Sequence, residues 1–543
     1  MTGPYGAMSS PRHSSQRFGR MWSSCTAPTQ RRGGVLVGLD LLLIAEAIPT
    51  LTGCRHLWER RMKINYELYI NGAWLPAETG ERYERRSPAT GEMVATFAKA
   101  NAVDAERAIQ AARTAFDCGP WPRMTGAERA AVLHRTAEAL RQHADEIARQ
   151  EAAQVGIPYR TITWLSDYVS DVFDYYAGMA RHIHGRTVLT SQESLSLTLR
   201  EPLGVVGVIS PWNFPLVLSA WKIAAALAAG CTVVVKPASY TPITVLELAT
   251  MLEQAGLPPG VYNVITGPGA VIGNVLVKSP LVNAIAFTGE TRTGKQLMAA
   301  AAHTLKRVSL ELGGKSPMIV HRDAPLDRAV AAAMEVFYNA GQQCNVPSRL
   351  ILHEEIYDEF MERFTARTRA LRVGATFDQT ADMGPVVSES QLATVMSYIE
   401  SGKKEGARLE VGGERLQGGI YDKGYYIAPT IFSEVRPGMR IVEEEIFGPV
   451  SVVLRYRNLD EGIELANNSS YGLTAGIWTR DLDAAHACAR RLNAGTVWIN
   501  VWNKSFPEIP VGGNKDSGLG RELGLEGLEE FTVVKAVHIF PGR

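Results

Sequence analysis

The sequence has little cysteine, and none of it is arranged for metal binding. Its six cysteines form no CxxC pair and no Cys/His cluster at metal-ligand spacing: Cys25, Cys54, Cys118, Cys231, Cys344 and Cys488. Disulfide frameworks and structural zinc sites both depend on such clusters. We therefore expect no metal site and a reducing, cytoplasmic environment.

The sequence also lacks net charge. Fifty-six basic residues balance 56 acidic ones in a chain of 543 residues. Nucleic-acid-binding and membrane-surface proteins usually carry an excess of Lys and Arg, so we expect neither nucleic acid nor membrane as a partner. The hydrophobic fraction of 46% and the charged fraction of 21% are typical of a globular protein, and the length predicts two or three domains.

Residues 1–61 contain no lysine and no long uncharged apolar run. They hold eight arginines and three acidic residues. Asp40 and Glu46 interrupt the run GVLVGLDLLLIAEAIPTLTGC, and each would cost roughly 2.5–3.5 kcal/mol at mid-bilayer. An organelle transit peptide, a bacterial export signal and an extension outside the fold are the three interpretations. We favour the extension outside the fold, and we expect both the folded sequence and the true translation start near Met62.

The chain from residue 62 onward has no fixed-period repeat and no low-complexity tract. Residues 100–185 show helical apolar spacing, and residues 186–201 alternate apolar and polar side chains, which predicts a β-hairpin. Continuous apolar strands then alternate with helices; the strands are GVVGVIS, CTVVVKP, VYNVIT and NAIAFTG. This alternation predicts an α/β fold with a Rossmann-like parallel sheet that is buried on both faces.

Polar turns rich in glycine and proline follow these strands. They are ISPWNFP, VKPASYTP, GPGAVIG and FTGETRTG. The carboxyl ends of parallel strands share one edge of a sheet, and the helices that begin there present backbone N–H groups that favour phosphate. The turns therefore indicate a dinucleotide site, although GPGAVIG departs from the usual GxGxxG spacing.

Cys344 lies in the stretch NAGQQCNVPSR, directly after a helix-like run. A cysteine nucleophile needs thiolate character, so we expect nearby positive charge or a helix terminus to lower its pKa. Glu311 ends the apolar part of the preceding strand, KRVSLELGG. A carboxylate there can activate water against a thioester, although taken alone it can also be a solvated turn residue.

Five motifs occur in order along the chain: SPWNFP, LELGGKSP, FYNAGQQC, EEIFGPV and PVGGNKDSGLGRELG. Together they resemble the NAD(P)-dependent aldehyde dehydrogenases from about residue 66 to the C-terminus. The resemblance implies that Cys344 attacks the aldehyde, with Asn213 and the Cys344 backbone N–H as the oxyanion hole. It also implies that Glu311 activates the hydrolytic water and that Glu522 is a secondary proton relay.

The resemblance also implies a cofactor cleft. Lys236 would hold the adenosine ribose, and Glu445 and Phe447 would hold the nicotinamide ribose and ring. The remaining cleft residues would be Ile209, Trp212, Gly269, Gly273, Phe287, Gly289 and Leu312. Ser239 stands where relatives strict for NAD often have glutamate, so NADP should be tolerated or preferred. Glu290 stands where many relatives have serine, and we expect it to turn outward.

The family architecture implies three parts. Residues 62–183 and 202–313 would form the cofactor domain, residues 314–523 the α/β catalytic domain, and residues 184–201 and 524–543 a small β oligomerisation arm. Pairing of the exposed strand edge of this arm with another subunit would give a homodimer or homotetramer.

The substrate is less constrained than the reaction. The predicted pocket residues are Phe214, Trp221, Trp502 and Phe506, with Glu508 near the mouth. The segment VWNKSFPEIPVGG resembles the loop of betaine and amino-aldehyde dehydrogenases, in which an aromatic face holds an ammonium group. Aromatic or medium aliphatic aldehydes fit the same walls. A CoA-acylating semialdehyde dehydrogenase and a non-catalytic scaffold on this fold are the alternative functions.

Overall fold

The computed structural model describes residues 64–540. They belong to one compact unit, Met62–Arg543. The interpretations of residues 1–61, and the proposed start at Met62, lie outside the described residues. Within the described range, no helix combines the length and the apolar character needed to cross a membrane.

The strands are β1 (Asn65–Tyr66), β2 (Leu68–Ile70), β3 (Ala73–Leu75), β4 (Arg82–Arg86), β5 (Met93–Ala98), β6 (Thr187–Ser191), β7 (Ser194–Pro202), β8 (Val205–Ile209), β9 (Thr232–Lys236), β10 (Tyr262–Val264), β11 (Ala284–Thr288), β12 (Arg307–Glu311), β13 (Pro317–Val320), β14 (Arg349–His353), β15 (Arg408–Val411), β16 (Thr430–Ser433), β17 (Val450–Tyr456), β18 (Tyr471–Gly472), β19 (Thr474–Trp478), β20 (Thr496–Ile499), β21 (Asn514–Lys515), β22 (Gly518–Leu519) and β23 (Thr532–Ile539).

The α-helices are Ala102–Asp117, Gly126–Gln142, Ala144–Val155, Leu165–Ala180, Pro215–Ala229, Ile243–Gln254, Gly269–Lys278, Thr291–Ala301, Leu326–Ala333, Tyr357–Arg369, Glu389–Lys404, Arg440–Glu443, Leu459–Asn467, Leu482–Arg491 and Gly524–Glu529. Short 3₁₀ segments are Trp121–Arg123, Tyr159–Thr161, Ala302–Thr304, Met334–Gly341, Glu354–Ile356 and Gly419–Lys423.

The larger sheet has eight strands in the order β22-β12-β11-β8-β9-β10-β2-β3. The five strands from β12 to β10 run parallel. Strands β8, β9 and β11 are buried at every position, which explains why their sequences are continuously apolar rather than alternating. The predicted α/β fold with a Rossmann-like parallel sheet is confirmed.

The register of this sheet gathers the predicted site residues at one edge. Ile209 pairs with Lys236 on one side and with Phe287 on the other. One step further along, Thr288 pairs with Glu311. Residues far apart in sequence are therefore neighbours at the carboxyl ends of the strands, where a parallel sheet binds its ligands.

A second sheet of seven strands has the order β15-β16-β17-β14-β13-β19-β20. All its neighbours run parallel except β15, which is antiparallel to β16. Its strands and the helices on them bury a separate apolar cluster. Cys344 lies in the loop just before β14, a central strand of this sheet.

The predicted hairpin forms as β6 and β7, and β7 pairs antiparallel with the C-terminal strand β23 from Pro202 opposite Thr532 to Leu195 opposite Ile539. The two segments assigned to an arm thus share one three-stranded sheet. The boundaries of the three parts, 62–183 with 202–313, 314–523, and 184–201 with 524–543, stay a prediction.

Candidate active site

A tight turn presents Cys344. The 3₁₀ segment Met334–Gly341 contains three consecutive residues with left-handed backbone: Asn339 at φ 49°, Ala340 at 52° and Gly341 at 71°. A Cβ atom on Gly341 would lie 2.0 Å from the Gly448 carbonyl oxygen, so only glycine fits at this position. The chain reverses there, and Cys344 follows in the turn.

Asn213 binds the same turn from the first sheet. Its Nδ2 donates to the Gln342 carbonyl oxygen at 2.9 Å, and Asn339 Nδ2 donates to the Asn213 carbonyl oxygen at 3.1 Å. Asn213 is buried. Because a side-chain amide has two N–H groups, one remains for an oxygen formed next to Cys344, as an oxyanion hole requires.

The electrostatic environment of Cys344 differs from the expectation. Burial raises the pKa of the thiol, and the carboxylates of Glu445 and Glu311 raise it further. The expected lowering by positive charge is not found among the described residues: the charges that act on the thiol are those of Glu445, Glu311 and Glu522, and only the Cys344 backbone N–H opposes them. The thiol is held protonated, and its reaction needs a base.

Glu311 and Glu522 form a buried acidic pair with one cation between them. Lys222 makes an ion pair with Glu522 and donates to Thr288 Oγ1 at 2.5 Å. Burial, followed by the charge of Glu522, raises the pKa of Glu311 well above its ordinary value. Burial also raises the pKa of Glu522, against the opposing effect of Lys222. The positive charges of Lys222 and Arg521 oppose the rise in the pKa of Glu311 without cancelling it.

Lys236 lies beside an open notch at the start of the helix Gly269–Lys278. Burial lowers the pKa of its ammonium group to about 8. A Cβ atom on Gly269 would lie 3.6 Å from Lys236 Nζ, and one on Gly273 would lie 3.9 Å from Ile209 Cδ1. The glycines thus leave room between a buried cation and a helix N-terminus, which fits the phosphate and ribose of a dinucleotide. Ser239 Oγ donates to the Gly267 carbonyl oxygen at 2.9 Å.

Glu445 and Phe447 approach the cleft from the other side. The Gly314 backbone N–H donates to Glu445 Oε1 at 2.9 Å, and burial raises the pKa of Glu445 to about 7. The Phe447 ring meets Trp212 edge to face, with centroids 5.2 Å apart. Phe447 has a φ of 53°, and its carbonyl oxygen accepts a hydrogen bond from Gln391 Nε2 at 2.8 Å.

The remaining predicted cleft residues are placed around the same edge. Phe287 and Leu312 are buried. The Gly289 backbone N–H donates to the Glu311 carbonyl oxygen at 3.0 Å, which fixes the turn after β11. Glu290 turns outward, since its side chain is 59% exposed and pairs with Arg292 at 3.3 Å.

Aromatic rings surround Phe214, the residue after Asn213. Phe214 stacks on Tyr338 with centroids 6.2 Å apart, and Trp164 lies 6.4 Å from Phe214. The Trp164 indole N–H donates to Tyr338 Oη at 3.0 Å. Trp221 is partly buried against the core of the first sheet. These rings form an apolar wall. Tyr338 also belongs to the 3₁₀ segment Met334–Gly341, so the wall reaches the segment that leads to Cys344.

Trp502 and Phe506 belong to a loop that contacts this wall, because Ser505 Oγ lies 3.1 Å from Tyr168 Oη and the Tyr168 ring lies 5.9 Å from that of Trp164. Trp502 lies in the core of the second sheet, 5.0 Å from Trp498, and its indole N–H donates to the Asn345 carbonyl oxygen at 3.0 Å. Phe506 is 57% exposed on the surface. The assignment of these two rings as pocket walls stays a prediction, and Trp502 supports the Cys344 turn through its hydrogen bond to the backbone of Asn345.

Comparisons with known proteins agree with this geometry. Residues 74–537 match the aldehyde dehydrogenase family. The mitochondrial benzaldehyde dehydrogenase of Antirrhinum majus is 45% identical over 480 residues, which cover 88% of this chain and 89% of that protein. The chain belongs to the aldehyde dehydrogenase family.

Solved structures of the family superpose closely. An NAD+ complex of the Bacillus cereus aldehyde dehydrogenase matches with a TM-score of 0.87 and 43% identity, over 89% of this chain and 98% of that one. The NAD-dependent aldehyde dehydrogenase of Sinorhizobium meliloti matches with a TM-score of 0.87 and 42% identity, over 89% and 96%. This aldehyde dehydrogenase is therefore an oxidoreductase that converts aldehydes to acids with NAD(P)+.

Several residues of this aldehyde dehydrogenase site were missed in the sequence. Lys222 is the clearest, because a single lysine inside the apolar helix LSAWKIAAALAAG is costly unless it is paired. Trp164 and Tyr338 carried no comparable signal, because aromatic residues are common in cores and loops alike.

We predict that Glu445→Gln makes Cys344 more reactive. Removing this carboxylate lowers the pKa of the thiol, and the thiolate fraction therefore increases at a fixed pH below that pKa. If the pKa falls by up to one unit, the fraction increases by roughly two- to tenfold. Iodoacetamide labelling of Cys344, followed by peptide mass spectrometry at pH 8, measures this rate.

Glu444→Gln is the matched control, because Glu444 accepts a hydrogen bond from Tyr398 at 2.8 Å and does not act on the thiol. Equal labelling rates in the wild type and both variants would show that Glu445 does not set the reactivity of Cys344.

Proposed function

We propose that this aldehyde dehydrogenase works through a covalent intermediate on Cys344, with Asn213 as oxyanion donor and Glu311 as base. The observation that supports this most directly is the convergence of the three on one sheet edge. Asn213 is hydrogen-bonded to the Cys344 turn, and the charge of Glu311 acts on the Cys344 thiol.

In the first step, Cys344 Sγ attacks the aldehyde carbon while a carboxylate of the site takes the thiol proton. A C–S bond forms, and the carbonyl π electrons move onto oxygen. The free N–H of Asn213 and the Cys344 backbone N–H donate to this oxyanion, and losing one such donor typically costs about 10²–10³ in rate. The raised pKa of Glu311 suits the proton acceptor, because burial makes its carboxylate a stronger base once ionised.

Bound NAD(P)+ would supply the hydride acceptor for the thiohemiacetal carbon on Cys344, which would become a thioester. Lys236 and Ser239 would hold its adenosine ribose end, and Glu445 and Phe447 its nicotinamide ribose and ring. The Gly314 backbone N–H keeps Glu445 oriented as an acceptor for ribose hydroxyls.

In the last step, Glu311, after passing the first proton on to Glu522, takes a proton from water, the hydroxide attacks the thioester carbon, and the C–S bond breaks to release the acid and the Cys344 thiolate. Glu522, paired with Lys222, would pass the proton onward. A CoA-acylating enzyme transfers the acyl group to a thiol and needs no such base. The buried Glu311, with Oε1 free of hydrogen bonds in the described residues, supports hydrolysis.

We predict that Cys344→Ala abolishes aldehyde oxidation and that Glu311→Gln gives one burst of reduced cofactor and then stalls. The glutamine cannot deprotonate water, so the thioester accumulates. Stopped-flow absorbance of reduced cofactor, with mass spectrometry of the acylated protein, measures both outcomes. Steady turnover by Glu311→Gln at the wild-type rate would contradict the assignment of the base.

We propose that NADP is accepted beside NAD because Ser239 is neutral. A glutamate at this position would accept both ribose hydroxyls and repel a 2′-phosphate, whereas the Ser239 hydroxyl is bonded to the Gly267 carbonyl oxygen and brings no negative charge. Lys236 is the last residue of β9, three residues before Ser239. Its ammonium group offers a partner for the phosphate.

We predict that Ser239→Glu lowers kcat/KM for NADP by about tenfold or more and changes the value for NAD less, since juxtaposed like charges cost several kcal/mol. Ser239→Gln has a similar size without the charge and is the matched control. An equal loss with both nucleotides in Ser239→Glu would show that the 2′-phosphate does not lie near this residue.

We propose aromatic aldehydes as preferred substrates over amino-aldehydes. The support is the stack of Phe214, Tyr338 and Trp164, which offers ring faces to an aromatic substrate. The amino-aldehyde alternative relied on an aromatic face in the Trp502 loop, and that ring is buried against Trp498. The benzaldehyde dehydrogenase among the relatives is in line with this choice.

We predict that Tyr338→Leu lowers kcat/KM for benzaldehyde by about two- to tenfold and changes the value for acetaldehyde little, as an aromatic pair is worth about 0.5–1.5 kcal/mol beyond its buried area. Tyr338→Phe keeps the ring and is the control. A preference of the wild type for amino-aldehydes over benzaldehyde would contradict the proposal.

We propose a homodimer or homotetramer built through the sheet of β6, β7 and β23. Leu195, Leu199 and Ile539 lie on one face of this sheet and are 45%, 44% and 49% exposed. A contiguous apolar face with free strand edges is unfavourable in water and fits a second copy of the chain.

We place the enzyme in the cytoplasm, with transit or export through residues 1–61 as the alternative.

A further inference from the structure

The helix that follows Asn213 begins in the interior without a capping side chain of its own. It spans Pro215–Ala229, and the residue before it, Phe214, makes no side-chain hydrogen bond to its first turn. The helix Ile243–Gln254 likewise receives none from Pro242. The first backbone N–H groups of a helix need partners outside it, and leaving them buried and unpaired is costly. We therefore looked for acceptors on a neighbouring element.

Glu151 and Gln154 supply these acceptors from the helix Ala144–Val155. The Leu216 backbone N–H donates to Glu151 Oε1 at 3.3 Å. The Ile243 backbone N–H donates to Gln154 Oε1 at 2.8 Å. Both acceptor side chains are fully buried, with 0% of their surface exposed. A carboxylate is also favoured at a helix N-terminus by the helix dipole, so one buried pair of side chains caps two helices.

The donors and acceptors inside this cap are complementary. Gln154 Nε2 donates to Glu151 Oε2 at 3.0 Å, and the Thr244 hydroxyl donates to the same oxygen at 2.6 Å. The Gln154 amide can serve both Glu151 and the Ile243 N–H in one orientation only, because its nitrogen donates and its oxygen accepts. A carboxylate at position 151 and an amide at position 154 therefore form a specific pair.

A buried arginine connects the cap to the turn that carries the nucleophile. Arg85 Nη2 donates to the Gln154 carbonyl oxygen at 2.7 Å and to the Val387 carbonyl oxygen at 3.1 Å. The Val387 backbone N–H donates to Gln342 Oε1 at 2.8 Å. The Gln342 carbonyl oxygen in turn accepts from Asn213 Nδ2 at 2.9 Å. The cap and the oxyanion donor thus share one set of contacts.

We propose that Glu151 is a positioning residue for Asn213 in the oxidation of aldehydes. The contacts form a closed ring that includes Arg85. The ring leaves Asn213 through the side-chain amide, and it returns from Glu151 through the backbone N–H of Leu216, three residues further along the chain. Both the side chain of Asn213 and the helix behind it are therefore fixed, and with them the direction of the N–H that faces the reacting oxygen. This inference rests on the proposed role of Asn213 as oxyanion donor.

Exchanging the two capping side chains gives a specific test. In Glu151→Gln, the new Nε2 faces another donor in either orientation of the amide, namely Gln154 Nε2 or the Leu216 N–H. In the double variant Glu151→Gln with Gln154→Glu, the new amide donates to the new carboxylate. The other oxygen of that carboxylate accepts from the Ile243 N–H. The exchanged pair thus restores the cap with the same atoms and the same net charge.

The experiment measures the burst rate of reduced cofactor with benzaldehyde and with acetaldehyde, both in the wild-type background and in Asn213→Ala. In the wild-type background we expect Glu151→Gln to lower the rate by about tenfold, since small displacements of a reacting group are costly. The exchanged double variant should recover most of this loss. In Asn213→Ala the same Glu151→Gln substitution should change the rate less than about twofold, because the group through which it acts is absent.

Asp104→Asn is the matched control. Asp104 is also a buried carboxylate at the start of a helix, and its oxygens accept from the backbone N–H groups of Glu78 at 3.1 Å and Asn101 at 3.2 Å. We expect this variant to lower the thermal midpoint and to keep the wild-type burst rate. Arg85→Lys breaks the ring at a second place, because an ammonium group lacks the planar fork of the guanidinium. It should lower the burst rate in the wild-type background only, and it tests the ring even where Glu151→Gln does not fold.

A purely structural role of Glu151 would lower the burst rate equally with and without the Asn213 side chain, and that result overturns the inference. An exchanged double variant as slow as Glu151→Gln, or an equal loss in Asp104→Asn, overturns it as well. Failure of the proposed function is separate, because Asn213→Ala alone would then keep the wild-type burst rate.

Discussion

The buried ion pair between Lys222 and Glu522 is the interaction on which the rest of the active site depends. Two carboxylates, Glu311 and Glu522, are buried near each other, and burial of an unpaired charge is costly. Lys222 opposes the effect of burial on both of them, yet the pKa of each stays raised. The lysine that provides this charge lies inside an otherwise apolar helix.

The same constraint explains the state of the nucleophile. Burial, followed by the carboxylates of Glu445 and Glu311, raises the pKa of the Cys344 thiol in the ligand-free protein. Reactivity then depends on how well the turn holds Sγ near its base, which is why the contact of Asn213 with Gln342 matters.

The sequence allowed the fold to be predicted because the strands of a doubly covered parallel sheet are apolar throughout, as in CTVVVKP. The location of the site followed from the shared carboxyl edge, and the register of Ile209 with Lys236 and Phe287 agrees. The direction of a loop side chain did not follow. Trp502 and Phe506 are close in sequence, yet one is buried and the other exposed, because tertiary packing decides this.

The two glycines after Glu311 show how closely the parts of the site are packed. A Cβ atom on Gly313 would lie 2.2 Å from Glu445 Oε2, and one on Gly314 would lie 2.2 Å from the Cys344 carbonyl oxygen. Any side chain at these two positions would push the Glu445 carboxylate or the Cys344 turn away from Glu311. Residues 313 and 314 therefore have to be glycine, and the Gly314 N–H donates a hydrogen bond to Glu445 Oε1. The proposed base, nucleophile and cofactor-binding carboxylate thus meet across two residues without side chains.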